Sequence, residues 1–208
     1  MKLGLDYVIY STTLLVVLIL PLYLYREKIF TFFYKTDGFN DFVRELKNYL
    51  RVKYPKKRFE FSIISKTAQE KDVRVRQSLV IENIISQLIE MPFERTTQDG
   101  LNKAKQWYMY DEKSINSLKA PNDWKQRREA TWKRDERSCK RCSKPVKLSE
   151  SATLFVTEIE MGGGYNLENL FTVCMDCNQI FKKDSSEIKF KVSNLDVYDD
   201  LYNLVDKF

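Results

Sequence analysis

Two pairs of cysteines constrain the C-terminal half of this chain more than any other feature of its sequence. Cys139 and Cys142 form one CxxC pair, Cys174 and Cys177 form a second, and 31 residues separate the two pairs. Each pair can present two thiolates from one tight turn, and two such turns together make a closed tetrahedral site for structural zinc. We expect this metal to hold the fold, because four protein ligands leave no coordination position open for chemistry.

A pair of redox-active CxxC motifs is the alternative interpretation of the same residues. A thioredoxin-type motif begins a helix that follows a strand in a βαβ unit, and that context is not evident here. The spacing therefore favours zinc. The chain of 208 residues also contains no histidine, which excludes a Ser-His-Asp triad, a Cys-His pair and an HExxH zinc site.

The positive charge of the chain is concentrated next to the first cysteine pair. The whole chain has a net charge of +6, whereas residues 119–147 contain eleven Lys or Arg and four Asp or Glu, a net charge of +7. A basic stripe beside a zinc site is typical of phosphate contact with DNA or RNA, whose affinity depends strongly on salt. A solubilising surface and adhesion to anionic lipid are the alternatives. The residues predicted to contact nucleic acid are Arg127, Arg128, Lys133, Arg134, Lys140 and Arg141.

A nineteen-residue stretch near the N-terminus, residues 7–25, carries no charge. At about 1.5 Å per residue such a helix spans the hydrocarbon layer of roughly 30 Å, so the sequence predicts a transmembrane anchor within residues 1–30. Arg26, Lys28 and Lys35 follow the stretch and Lys2 precedes it. The positive-inside rule then predicts a single-pass protein of the cytoplasmic (inner) membrane, with its C-terminal domain in the cytoplasm. A cleavable signal peptide is disfavoured, because no small residues follow the apolar run.

The remaining sequence predicts an α+β protein with three further parts. Residues 36–118 read as a small α+β module of unknown role, with an amphipathic helix, a half-buried strand where Phe59, Phe61 and Ile63 alternate with polar residues, and a long helix from Glu70 to Met91. Residues 119–184 form the zinc domain, beginning with a helix at Asp123. Residues 185–208 form an acidic C-terminal helix, which either docks on its own domain or binds a protein partner.

Two segments around the cysteines carry a resemblance to a known family. WKRDERSCKRC and GGGYNLENLFTVCMDCNQIFKK, within residues 124–183, resemble the HNH endonucleases in their zinc-stapled ββα-metal form. The resemblance implies that the two cysteine pairs bind structural zinc. It also implies that a β-hairpin and a helix between them hold a second divalent ion, Mg²⁺ or similar, at the scissile phosphate.

The resemblance assigns roles to three positions and departs from the family at one of them. The family's hairpin normally reads Asp-His-Ile, with His as general base, and here Thr157 and Glu158 take the Asp and His positions. By resemblance, Glu158 is the base, Asn169 orients it, and Asn178 approaches the metal. Glutamate is a weaker base than histidine at neutral pH. Glu160, predicted on the same strand face as Glu158, is a candidate second oxygen ligand for the hard metal.

Two functional hypotheses follow. The first is a membrane-anchored HNH-type endonuclease that hydrolyses phosphodiesters in a metal-dependent reaction. The alternative is a catalytically degenerate zinc module of the same fold that binds nucleic acid or protein at the membrane.

Overall fold

The computed structural model describes residues 5–25, 37–112, 118–185 and 192–208. The chain divides into two compact units, Met1–Asp41 and Phe42–Phe208. Helix α1, Leu5–Leu24, belongs to the first unit. Helix α2, Asp37–Lys53, crosses the boundary between the two units.

The predicted membrane span within residues 1–30 is wrong. No helix in the described part of the chain combines the length and apolar character that crossing a bilayer requires. Helix α1 contains Ser11, Thr12 and Thr13 in its first half and Pro21 in its last turn, and the Thr13 hydroxyl donates to the Ile9 carbonyl at 2.7 Å. Its uninterrupted apolar run, residues 14–20, covers about 10 Å of helix, against a hydrocarbon layer of about 30 Å. The predicted single-pass topology and inner-membrane location are corrected accordingly.

The middle of the chain is helical. After α2 come the one-turn helix α3, Ile63–Lys66, and helix α4, Val73–Glu90, so both predicted long helices are confirmed. The Asp72 side chain caps α4 by accepting from the backbone nitrogens of Arg74 and Val75 at 2.8 and 3.4 Å. The two long helices bury apolar faces, and the core side chains are Phe42, Leu46, Leu50, Val80, Ile81, Ile84, Ile85 and Leu88.

The strand predicted at residues 59–63 is not formed, which corrects the α+β assignment of the middle module. In its place the chain runs without regular structure to Ser62 and then enters α3. The Gln87 side chain of α4 accepts from the Glu60 nitrogen and donates to the Glu60 carbonyl, both at 2.8 Å. One side chain therefore satisfies backbone groups that a partner strand would satisfy in a sheet.

The C-terminal domain is built on a two-stranded antiparallel sheet. Helix α5 spans Trp124–Arg134, strands β1 and β2 span Ser151–Phe155 and Leu170–Cys174, and helix α6 spans Met175–Ser185. In the hairpin Ser151 pairs with Cys174, and Phe155 pairs with Leu170. Strand β2 is buried along its whole length. Since α6 follows β2 directly, the sheet and this helix form a ββα unit.

The C-terminal helix packs against the middle module as well as against the C-terminal domain. Helix α7, Asp196–Val205, buries Val197, Leu201 and Leu204 and packs against α4. Asp200, on a more exposed face, accepts a hydrogen bond from the Tyr49 hydroxyl at 2.7 Å. The pKa of Asp200 lies below its usual value: burial opposes this, but hydrogen bonds from Lys53 and Tyr49 outweigh it.

Candidate metal centre

The four cysteines converge on one buried point. Their sulfur atoms all lie within 4.8 Å of one another, and each cysteine is at most 1 % exposed. Cys142 Sγ and Cys174 Sγ are 3.7 Å apart, too far for a disulfide bond of about 2.05 Å. A tetrahedral metal with metal–sulfur bonds of about 2.3 Å places its sulfurs about 3.8 Å apart. The cluster therefore has the dimensions of a four-thiolate metal site.

The first cysteine pair lies in a tight turn that the backbone closes on itself. The Cys139 nitrogen donates to the Lys144 carbonyl at 2.9 Å, and the Ser143 nitrogen donates to the Cys139 carbonyl at 2.8 Å. Ser143 has a left-handed backbone with φ of 65°, which is uncommon for a residue other than glycine. The Cys142 nitrogen points at the Cys139 sulfur at 3.5 Å. This turn directs both thiols to the same side.

The second pair uses a junction between two elements. Cys174 ends β2, Cys177 lies in the first turn of α6, and the Cys177 nitrogen donates to the Cys174 sulfur at 3.4 Å. The Lys140 nitrogen donates to the Thr172 carbonyl at 2.9 Å, which fixes the first turn beside β2. The two cysteine turns are therefore held together by backbone contacts as well as by the cluster.

The pKa values of the four cysteine thiols depend strongly on one another. The pKa of Cys139 lies far below its usual value because hydrogen bonds from Cys142, Cys174 and Cys177 stabilise its thiolate. The pKa values of those three thiols are raised, first by their hydrogen bonds to Cys139 and also by burial. A divalent ion in the centre would stabilise all four in the thiolate form.

Arg141 lies between the two cysteines of the first turn and is only 2 % exposed. Its guanidinium donates to Cys177 Sγ at 3.5 Å, and to the carbonyls of Ile89 and Met91 at 2.9 Å each. These carbonyls lie at the C-terminal end of α4, which carries unpaired acceptors. Arg141 therefore links the end of α4 to the cluster and places a positive charge beside Cys177.

A buried ion pair joins both cysteine turns to α7. Asp176, only 1 % exposed, accepts from Lys144 Nζ at 3.1 Å. Its second oxygen accepts from the Val197 nitrogen at 3.4 Å. Burial acts to lower the pKa of Lys144, but the nearby Asp176 carboxylate outweighs it and leaves the pKa raised. The residues between the cysteines thus organise the surroundings of the cluster.

The hairpin loop is braced by Asn169. Its Oδ1 accepts from the Thr157 nitrogen at 2.8 Å, and its Nδ2 donates to the carbonyls of Thr157 and Gly164 at 2.9 and 2.7 Å. This buried amide spans the loop between β1 and β2, the position that the resemblance assigns to a bracing asparagine. Asn178 lies buried in α6, one residue after Cys177.

Gly163 allows this brace to form. A Cβ at position 163 would lie 1.9 Å from the Thr157 carbonyl oxygen and 2.9 Å from Asn169 Nδ2. We expect Gly163→Ala to break the Asn169 contacts and to lower the free energy of unfolding by about 1–3 kcal/mol, measured by urea denaturation. Gly100→Ala is the matched control, because its Cβ would meet only the Glu168 side chain, which can turn away. Equal stability of the two variants would contradict the role given to Gly163.

Glu158 and Glu160 do not lie on a strand face, so that prediction is wrong. Strand β1 ends at Phe155, and residues Ile159–Met161 form a 3₁₀ turn. Glu158 Oε1 accepts from Arg95 Nη1 at 2.7 Å, with the glutamate side chain 48 % exposed. Arg95 in turn lies over the Phe181 ring of α6 at 5.0 Å. The carboxylate at the predicted general-base position is therefore engaged by a cation that the sequence analysis did not single out.

In the described ranges, the cysteine cluster is the only group of three or more Cys, Asp or Glu side chains close enough to hold a metal. Glu158 and Glu160 are both exposed and belong to no such group. The second metal ion that the resemblance implies stays a prediction.

Most of the predicted nucleic-acid contacts point inward. Arg127 is buried, bound to Asp123 at 2.8 Å and to the Tyr165 carbonyl at 2.7 Å. Arg134 donates to the carbonyls of Leu167 and Leu170. Arg128 reaches the Ser151 carbonyl at 3.2 Å, and Arg141 faces the cluster as described above. These arginines join α5 and the first cysteine turn to the rest of the fold.

The two predicted lysines are exposed. Lys133 pairs with Glu129 one turn earlier in α5, and Lys140 lies on the outer side of the first cysteine turn. The sequence pattern identified the charges but not their directions.

Comparisons with protein-family models, with curated proteins and with solved structures find no match for this chain. The resemblance to HNH endonucleases therefore stays a prediction from the residues quoted above.

Three residues that organise the site received no role from the sequence: Arg95, Asp176, and Asp135, which entered only as part of the segment that carries the resemblance. Asp135 is buried and accepts from the Thr172 nitrogen at 2.8 Å, so that it ties the end of α5 to β2. The sequence feature that could have identified Asp176 is its position as an acidic residue between the two cysteines of the second pair. Arg95 carried no signal, because its contact with Glu158 spans 63 positions of the chain.

Proposed function

We propose that this chain is a zinc-stabilised nucleic-acid-binding protein whose ββα unit binds without hydrolysing phosphodiesters. The observation that carries the proposal is the closed cluster of four buried thiols. Closed four-cysteine sites are typical of structural zinc, as in zinc fingers, zinc ribbons, RING and LIM domains. The buried guanidinium of Arg141 beside Cys177 supports a zinc site, since four thiolates and one Zn²⁺ leave a net negative charge.

The contact between Arg95 and Glu158 supports binding without catalysis. A general base needs a free lone pair within reach of the proton that it abstracts. Glu158 Oε1 already accepts from Arg95 at 2.7 Å, so a cation holds and orients the carboxylate at the position where the resemblance places the general base. This arrangement favours a domain that retains the hairpin of the family but does not use Glu158 as a general base.

Exposed lysines support the nucleic-acid part of the proposal. With the arginines of α5 turned inward, the exposed cations of this segment include Lys125, Lys133, Lys140 and Lys147. Lysine binds phosphate as a point charge on a flexible stem, which gives contacts that depend on salt and little on sequence. We therefore propose binding of DNA or RNA through the backbone rather than through base edges.

A second candidate is the active HNH-type endonuclease, favoured by one observation. Asn169 braces the hairpin loop as an orienting asparagine of that family would. In this candidate, release of Glu158 from Arg95 and a bound Mg²⁺ would restore the base.

One pair of assays on the full chain separates the candidates. We expect DNA or RNA binding whose affinity falls steeply between about 50 and 200 mM salt, with no nicking of supercoiled plasmid in Mg²⁺, Mn²⁺ or Ni²⁺ above a protein-free control. Metal-dependent nicking that Glu158→Ala abolishes and the surface substitution Glu150→Ala leaves intact would support the endonuclease and contradict the proposal. Absence of binding to any nucleic acid at low salt would contradict both candidates.

A further inference from the structure

A groove of about 530 Å³ lies between residues 101–107 and helix α5. Its apolar surface comes from Leu101, Trp107 and Ala130, and its positive charges come from Lys105, Lys133 and Arg134. Its volume falls within the range of about 300–1,000 Å³ that is typical of pockets for small organic groups. We call it the α5 groove.

The charges of the groove are placed on opposite walls. Lys105 lies exposed in a 3₁₀ turn, Lys103–Lys105, on one side. Lys133 lies exposed on α5 on the other side and is paired with Glu129, the one acidic residue among the lining side chains. This pair lies on the surface, so a phosphate can replace the glutamate at little cost.

The third charge is fixed. The Arg134 side chain is 10 % exposed and is held by Asp135 and by the carbonyls of Leu167 and Leu170. Its guanidinium is ordered before any ligand arrives, but the Asp135 carboxylate balances its charge, so the cations available to a ligand are the two lysines.

Trp107 forms a rigid aromatic wall. Its Nε1 donates to Asp123 Oδ2 at 3.2 Å, and the edge of Tyr110 contacts it with ring centroids 4.8 Å apart. Asp123 is itself held by buried Arg127 at 2.8 Å. The indole is therefore oriented before any ligand arrives, which lowers the entropic cost of stacking on it. Tyr108, next in the chain, is 94 % exposed and does not line the groove.

We propose that the α5 groove binds an unpaired nucleotide of single-stranded DNA or RNA, with its base on Trp107 and its phosphates near Lys105 and Lys133. A fixed aromatic face combined with a positive groove is how proteins bind single strands without sequence preference. A base in a duplex is stacked on both faces and cannot enter. This inference rests on the proposed nucleic-acid binding and names its site and the form of the ligand.

The test measures binding of fluorescein-labelled oligothymidylate and oligouridylate, each of about twelve nucleotides, to the full chain by fluorescence anisotropy at several salt concentrations. We expect Lys105→Gln to weaken binding several-fold and to reduce the slope of log affinity against log salt by about 0.7, the value for one phosphate contact on a single strand. The matched control is Lys103→Gln, which removes a lysine from the same turn but outside the groove. We expect it to change binding much less.

Trp107→Leu tests the aromatic wall of the groove, with Tyr108→Leu as its control, and Glu129→Gln tests the acidic residue that pairs with Lys133. Trp107→Leu is expected to lower affinity about tenfold, whereas Tyr108→Leu is expected to leave it unchanged. Glu129→Gln is expected to raise affinity, because it removes the acid that competes for Lys133. Far-UV circular dichroism checks that Trp107→Leu is folded. Lys105→Gln changes only an exposed side chain and should not disturb the fold. The test therefore remains decisive even if Trp107→Leu does not fold.

The outcomes distinguish this inference from the function on which it rests. If the wild-type chain binds single strands but the groove variants behave like their controls, the groove is not the site and the proposed function stands. If unlabelled duplex displaces the labelled strand as well as unlabelled single strand does, the preference for unpaired nucleotides is wrong. If the wild-type chain binds no nucleic acid at low salt, the proposed function fails as well.

Discussion

Replacing Cys142 with serine is expected to unfold the C-terminal domain or to leave it only marginally stable. Metal binding to a structural site of this kind contributes folding free energy directly, with apparent values on the order of 10 kcal/mol for small zinc modules. Serine removes one thiolate from a cluster in which all four cysteines are at most 1 % exposed. The loss should therefore exceed several kcal/mol, measured by thermal and urea denaturation of the full chain.

A chelator provides the control for this substitution. EDTA should lower the melting temperature of the wild-type protein towards that of Cys142→Ser, and it should change the variant little. Ser149→Ala, at an exposed position outside the cluster, should behave like the wild type. A wild-type protein that melts at the same temperature with and without chelator would contradict the structural role of the metal.

Asp176→Ala is expected to have the next largest effect, a loss of about 3–5 kcal/mol in the free energy of unfolding. This substitution leaves Lys144, whose side chain is only 14 % exposed, without its carboxylate. Breaking a buried pair from one side is costly because the remaining charge has lost its solvation and its partner. It also removes the acceptor for the Val197 nitrogen at the start of α7.

A double-mutant cycle separates the ion pair from the packing. The cycle consists of Lys144→Met, Asp176→Leu and the double variant, and we expect the double variant to be less destabilised than Asp176→Leu alone. The surface pair of Lys147 and Glu150, 3.0 Å apart and largely exposed, supplies the comparison, since Glu150→Ala should cost about 1 kcal/mol or less. Equal losses for Asp176→Ala and Glu150→Ala would contradict the account of the buried pair.

The four-cysteine cluster was predictable because its information is local in the chain. Each CxxC pair fixes two ligands within one turn, and 31 intervening residues leave enough chain for a hairpin. The two long helices, Asp37–Lys53 and Val73–Glu90, were predictable for a similar reason, since their apolar periodicity spans several turns.

Other features depended on contacts that a pattern does not encode. Phe59, Phe61 and Ile63 alternate as in a strand, but no strand in the described part of the chain pairs with them, and the Gln87 side chain binds the backbone groups of Glu60. The net charge of residues 119–147 does not show which of their side chains point to solvent. Arg127 and Arg134 point inward and donate to backbone carbonyl oxygens. Absence of charge in residues 7–25 indicated a membrane span, yet the hydroxyl residues and Pro21 break the apolar run.

The zinc centre is the central claim, and elemental analysis combined with X-ray absorption at the zinc edge tests it most directly. We predict about one zinc ion per purified chain, surrounded by four sulfur atoms at about 2.3 Å. A folded, stable protein that contains no metal, or a zinc ion bound mainly by oxygen or nitrogen, would contradict the account.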